Sequence, residues 1–192
     1  MVTLKWTRKQ KGVSKMTKVV IINGSNTRYS RVTAIQEKVE RFFPAHSTDI
    51  HTIQVHELPA VALITADFEN DVIKAENRKV EEADIVVILT PIYKASYTGI
   101  LKTYLDLLPQ KALVGKKILP IAVGGSIGHL LALEYALKPV LAVLGATDIG
   151  HSVYIIDKQI IRLEDGSFAI EEDAIHRLEV ELKKIQHIVA VN

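Results

Sequence analysis

The chain has 192 residues, 48% hydrophobic and 24% charged, enough apolar material for one domain with a substantial core. It contains no cysteine, which excludes disulfides, thiolate zinc sites, iron–sulfur clusters and cysteine nucleophiles, and no apolar run approaches the roughly 18 residues of a membrane span. The formal charge of +2 hides an asymmetry, because Lys5, Arg8, Lys9, Lys11 and Lys15 precede residue 16 without a single acid. Taking those five from the 24 basic residues leaves 19 against 22 acidic ones, about −3, which does not suggest a nucleic-acid binder. The basic segment lacks a long apolar stretch and a small-residue cleavage site, so it reads as an extension over 1–15 rather than a secretory signal. The domain itself is expected over 16–192.

From Met16 the sequence alternates strand and helix. Lys18–Asn23 is apolar and β-branched and reads as the first strand. Apolar residues at Val32, Ile35, Val39 and Phe42 predict a helix over Ser30–Phe43, with Pro44 after its end. Thr48–Val55 alternates as a second strand, and Phe68–Ala83 reads as a charged, exposed helix. Ile85–Leu89 is a third strand, buried on both faces, which Pro91 should end because proline cannot donate to a ladder. A short helix over Thr98–Leu108 is stopped by Pro109. Lys117–Val123 is the fourth strand, Ile127–Leu144 a long helix and Ile149–Ile156 the fifth strand. Gln159–Leu163 and Ser167–Ile170 flank Asp165-Gly166 as a hairpin, and Glu171–Val189 is a final amphipathic helix. Five strands alternating with helices imply one α/β domain with a parallel sheet covered on both faces.

Three loops fall at carboxyl ends of strands, where open α/β sheets bind ligands. The first, Asn23 to Thr33, has Gly24 for a close turn and hydroxyls at Ser25, Thr27, Ser30 and Thr33. It also has Arg28 and Arg31, and it opens a helix whose free N–H groups favour an anion. It has neither G-x-G-x-x-G nor G-x-x-x-x-G-K-[ST], so a single phosphate group suits it better than a dinucleotide or ATP. The second loop, Thr90-Pro91-Ile92-Tyr93-Lys94 with Tyr97, offers aromatics, a cation and hydroxyls to a flat, partly polar ring. The third, Gly124-Gly125-Ser126, lets the backbone approach a ligand closely and present N–H donors. Each loop alone also reads as ordinary turn or capping chemistry; together they should surround one cleft.

The remaining polar residues say less. His46, His51 and His56 form no tight metal set in sequence, and no Ser-His-Asp arrangement is readable. Asp106 and Asp157 read as structural or solvated. The long helix is apolar round most of its circumference through Leu130, Leu131, Leu133, Leu137, Val140, Leu141 and Val143, which favours a subunit interface. Pro139 removes an N–H and crowds the carbonyl of Tyr135, so a kink or π-bulge is expected there.

These motifs together resemble the NADPH-dependent FMN reductases of the flavodoxin-like superfamily, particularly those of bacterial alkanesulfonate utilisation. The residues that carry the likeness are Gly24-Ser25 with Ser30-Arg31, Thr90 to Lys94 with Tyr97 and Gly99, and Leu105-Asp106-Leu107-Leu108-Pro109. The stretch from Gly124-Gly125 through His129 and Tyr135 to Leu141 completes the pattern. The resemblance implies a flavodoxin-like three-layer sandwich with a five-stranded parallel sheet in the order 2-1-3-4-5. It implies a cytoplasmic enzyme that transfers a hydride from NADPH to FMN and releases reduced flavin to a two-component monooxygenase. By the same likeness Ser25, Ser30, Arg31 and Thr33 would hold the flavin phosphate. Thr90, Pro91, Ile92, Tyr93 and Lys94 would border its ring with Gly124, Gly125 and Ser126, which would also stabilise negative charge there. Tyr135 would sit in a π-helix at a homotetramer interface. Relatives often carry Arg where Thr27 stands, so either Arg28 or Arg31 could meet the phosphate. The rival readings are a quinone or azo reductase with tightly held FMN, and a flavodoxin-type electron carrier.

Overall fold

A computed structural model describes residues 16–189, so the basic segment 1–15 lies outside the described residues. The central sheet is built from β1 (Thr17–Asn23), β2 (Thr48–Gln54), β3 (Ile85–Tyr93), β5 (Lys117–Gly124), β6 (Asp148–Ile149) and β7 (Val153–Ile156). These pair in parallel in the order β2-β1-β3-β5, with β6 and β7 both on the outer edge of β5. The fifth strand of the sequence reading is therefore present but interrupted between Ile149 and Val153. The five-stranded order 2-1-3-4-5 holds, and the fold is flavodoxin-like.

The apolar runs of β1 and β3 are long because both faces of the sheet are covered. On one face Val19, Ile21, Ile85, Val87 and Leu89 meet α1 (Arg31–Phe42) and α6 (Glu172–Val189) through Ile35, Val39, Leu178 and Leu182. On the other, Val20, Ile22, Val86 and Ile88 meet α3 (Asp71–Glu82) and α4 (Gly99–Leu105) through Ile73, Val80, Leu101 and Tyr104. Successive residues thus serve opposite layers, and each buried Ile, Leu or Val contributes about 1.5–3 kcal/mol. At the end of α3, the buried Lys116 Nζ donates to the carbonyls of Glu81 (2.5 Å) and Ala83 (3.0 Å), satisfying groups that the helix leaves open. Burial pulls the Lys116 ammonium below its ordinary range.

Three elements differ from expectation. Pro91 does not end β3, which continues to Tyr93 and turns back through β4 (Ser96–Tyr97) as a hairpin. Leu89 accepts from the Gly24 N–H, so Pro91, two residues on, faces the same side, where β1 has already ended. Its missing N–H breaks no ladder bond. The turn at Lys94-Ala95 has φ values of 49° and 62°, two left-handed residues without a glycine. Second, a short helix α2 (Ala60–Thr65) follows β2, too brief to show a helical period in sequence. Third, the long helix over 127–144 is divided into a 3₁₀ turn (Ile127–His129), a π-helix (Leu133–Leu137) and α5 (Lys138–Val143). The π-helix contains Tyr135, four residues before Pro139, as the missing proline N–H requires.

Candidate active site

The three strand-end loops converge on one cavity of about 400 Å³ at the carboxyl ends of β1, β3 and β5. It is lined by Ser30 and Arg31 from the first loop, Pro91, Ile92 and Tyr93 from the second, and Gly124 and Gly125 from the third. That volume falls within the roughly 300–1,000 Å³ of small-molecule sites.

The first loop is held from beneath. Asn23 is buried, donates to Gln36 Oε1 at 2.7 Å and accepts the Ser25 N–H at 2.9 Å. Ser25 is fully buried and its hydroxyl donates to the Thr27 carbonyl at 3.1 Å, so it shapes the loop rather than lining the cavity. Ser30 caps α1, its Oγ accepting from Thr33 N at 3.3 Å with the Thr33 hydroxyl at the same distance. Ser30 is thus the N-cap of α1 and also lines the cavity. Arg31 Nε donates to the Ile160 carbonyl at 2.9 Å, which anchors its stem, and the residue lines the cavity. Arg28 is instead paired with Glu57 on the exposed surface, and that carboxylate holds the Arg28 guanidinium above its ordinary pKa. Of the two arginines in this loop, only Arg31 lines the cavity.

The second loop is joined to the first through Thr98, to which the sequence pattern assigns no role. Its buried hydroxyl donates to the Gly24 carbonyl at 2.6 Å and accepts the Leu101 N–H at the start of α4. Its own N–H donates to Thr90 Oγ1 at 3.1 Å, and the Thr90 hydroxyl donates to the Pro91 carbonyl at 2.9 Å. Thr90 is thus a fully buried brace, and Lys94 sits exposed at the hairpin tip. A Cβ on Gly24 would lie 2.7 Å from Leu101 Cβ, so only glycine lets α4 pack this close.

The third loop rests on Tyr154. Its hydroxyl donates to the Ser126 carbonyl at 2.7 Å and occupies the place where a Cβ on Gly124 would project. Burial raises the Tyr154 pKa, Asp157 reinforces the rise and the bond to Ser126 opposes it, so the phenol stays protonated and donating. Ser126 Oγ accepts from Gly128 N at 3.2 Å, a capping bond, and lies outside the cavity lining.

Thr27, Tyr29, Val32, Val123, Asp157, Arg162 and Phe168 complete the lining. Asp157, read as structural or solvated, faces the cleft; a Cβ on Gly125 would stand 3.7 Å from its Oδ2. Asp106 pairs with Lys102 at 2.5 Å away from the cleft. Arg162 and Phe168 come from the separate hairpin of β8 (Ile160–Arg162) and β9 (Phe168–Ile170), which the sequence pattern predicts as a hairpin but not as part of the site. The cleft thus has a cationic, hydroxylated end at the start of α1 and a glycine-floored end between β3 and β5, where Ile92 and Val123 are apolar and Asp157 stands beside Gly125. That combination fits a phosphate joined to a flat ring.

The chain matches the model of the NADPH-dependent FMN reductases over residues 17–160. An FMN reductase (NADPH) of Pseudomonas putida is 41% identical over 146 residues, 76% of this chain and 74% of that protein. One from Escherichia coli K12 is 38% identical over 144 residues, 75% of each. Among solved structures, an NADH:FMN oxidoreductase in its apo form superposes with a TM-score of 0.78 at 34% identity, over 88% of both chains. With this cleft on this sheet, the chain belongs to the NADPH-dependent FMN reductase family.

Proposed function

We propose that the cleft passes a hydride from NADPH to FMN, and that reduced flavin then leaves for a two-component, alkanesulfonate-type monooxygenase in the cytoplasm. The observation that carries the reading is the convergence of the three strand-end loops on one cavity with a cationic end and a glycine-floored end. FMN supplies the hydride acceptor when bound, and the chain supplies position and electrostatics. Ser30, Arg31 and the free N–H groups that begin α1 bind the phosphate. Ile92, Tyr93 and Val123 offer apolar surface to the ring and keep water from it. The backbone of Gly124 to Ser126 offers N–H donors to the ring's polar edge, where negative charge gathers on reduction. Ser25, Thr33 and Thr90 act by fixing the loops. The hydride step asks no proton of the protein, so no residue is assigned as acid or base.

Tyr29 and Tyr93 stand mostly exposed at the rim, which favours a flavin that exchanges over one held permanently. Flavin-stripped protein should oxidise NADPH with saturable dependence on added FMN, and reduced flavin should appear in solution. Oxidation only with restored, tightly bound FMN and an added quinone or dye would favour the alternative reductase. No oxidation under either condition would make the protein an electron carrier.

The assembly proposed is a homotetramer formed through the 127–144 region. Leu131, Tyr135 and Val143 are exposed there, Tyr135 to 78%, along a segment whose other side is the buried Leu133, Leu137 and Leu141. The occupant proposed for this apolar strip is the same strip of a second copy. Tyr135→Ala should shift the tetramer toward smaller species in light scattering; an unchanged mass would remove Tyr135 from the interface. Among the described residues no helix is long and apolar enough to cross a membrane.

A further inference from the structure

We propose that Arg162, on the β8–β9 hairpin, recognises a phosphate monoester in the cleft together with Arg31, and so sets the enzyme's preference for a phosphorylated ligand. The proposal rests on the flavin-reductase reading of the cleft. Its basis is a wall of the cavity that the family pattern does not cover. The family match ends at residue 160, where the hairpin begins, yet Arg162 and Phe168 both line the cavity.

The guanidinium is placed by its neighbours rather than left to wander. Its carbon lies 5.4 Å from the centroid of the Phe168 ring, within the range of a cation–π contact. One terminal nitrogen lies 3.5 Å from the Tyr29 carbonyl, on the phosphate loop itself. The base of the hairpin is fixed by the bond from Arg31 Nε to the Ile160 carbonyl. Arg31 therefore joins the first loop to the hairpin that carries the second arginine. The hairpin also packs against the rest of the domain through Gln159, whose carbonyl accepts the Glu171 N–H at 2.9 Å and whose side-chain oxygen accepts from Arg177 at 3.1 Å.

Charge decides what these two arginines are for. Among the described residues neither meets a carboxylate, although both face one cavity. Two like charges lining one cavity repel; Asp157 lines it too and offsets one of them, and an anionic ligand offsets the other. A phosphate monoester carries about −1.5 to −2 charges near neutral pH and presents three acceptor oxygens, which a second guanidinium fork complements. A phosphodiester offers fewer terminal oxygens to that second fork, and a neutral sugar offers no charge at all. Two ligands of the reaction carry a monoester: the 5′-phosphate of FMN and the 2′-phosphate of NADPH. The contact of Arg162 with the 27–31 loop favours FMN. The relatives named above are described with NADPH in two cases and NADH in the third, so the other source has to be resolved by experiment.

The test titrates wild type, Arg162→Met and Arg162→Lys with FMN and with riboflavin, following flavin fluorescence, and measures KM for NADPH and NADH. Arg162 is exposed on a hairpin, so both variants should fold, which circular dichroism checks. If FMN is the source, Arg162→Met weakens FMN binding about tenfold, as loss of a charged hydrogen bond does, and leaves riboflavin affinity unchanged. Arg162→Lys should fall between, keeping charge without the fork. If NADPH is the source, the KM for NADPH rises while that for NADH and the FMN-to-riboflavin ratio hold. Unchanged ratios for both pairs in Arg162→Met would overturn the inference and leave the reductase reading intact. A wild type that binds neither flavin would overturn the reading and the inference with it.

Discussion

The two walls of the cleft are made in different ways. One wall is the row of strand-end loops, whose positions follow from the sheet: each loop begins where a buried apolar run stops. Its parts are cross-braced by hydrogen bonds, the buried pair from Thr98 to Gly24 and Thr90 and the half-buried one from Tyr154 to Ser126. The other wall is the β8–β9 hairpin, attached through Arg31 and Gln159 and facing solvent on most of its residues. A site can therefore keep a rigid, sheet-determined half for chemistry that the family shares. The proposed role of Arg162 would put ligand preference on the exposed hairpin, where substitution costs little stability.

If that division is right, damage to the rigid wall should be severe. Gly124→Val is expected to have the largest effect, because its side chain would displace the Tyr154 hydroxyl and press on Ile92. Overpacking of this kind costs about 1–3 kcal/mol, and FMN binding should be lost with the loop's position, as calorimetry and flavin titration would show. Next comes Arg31→Ala, which touches both walls. The KM for FMN should rise roughly 10- to 100-fold with modest change in kcat, as loss of uniform binding to a charged group does. An unaltered KM would place the phosphate elsewhere. Thr98→Val keeps the shape but leaves the Gly24 carbonyl unpartnered, at about 1–3 kcal/mol. Denaturant unfolding should register that loss, with a smaller rise in KM for FMN than Arg31→Ala gives.

The smallest effect lies outside the cleft. In the π-helix, burial opposes ionisation of Glu134, but hydrogen bonds from Lys138 and Ser152 outweigh it and hold its carboxyl below the ordinary 4.5. A carboxylate lowered by folding contributes stability that is present above 4.5 and lost as pH falls through the folded value. Melting temperature should therefore drop on acidification below that point, and Glu134→Gln should flatten the slope.

Much of the rigid wall was legible in the sequence because its residues are near neighbours of strand ends. Gly24, Arg31, Gly124 and Gly125 lie where their local patterns place them, while Ile92 and Tyr93, expected in a loop, are the last residues of β3. The π-helix was legible for a similar reason, since the effect of Pro139 on the Tyr135 carbonyl is a four-residue matter. Pro91 misled because its lost donor matters only if a neighbouring strand still runs beside it, and β1 stops at Asn23. Thr98, Tyr154 and Arg162 were not legible in their roles. Each works through a contact made by folding, Thr98 with Gly24, Tyr154 with Ser126 and Arg162 with Tyr29, and no local spacing announces such a partner.

The most direct test of the central claim is a crystal structure of the protein soaked with FMN. The account predicts the phosphate against Ser30 and Arg31 at the start of α1, and the ring between Tyr93 and the Gly124–Gly125 backbone. A phosphate bound at Arg28, or a ring seated outside the cavity between β3 and β5, would contradict it.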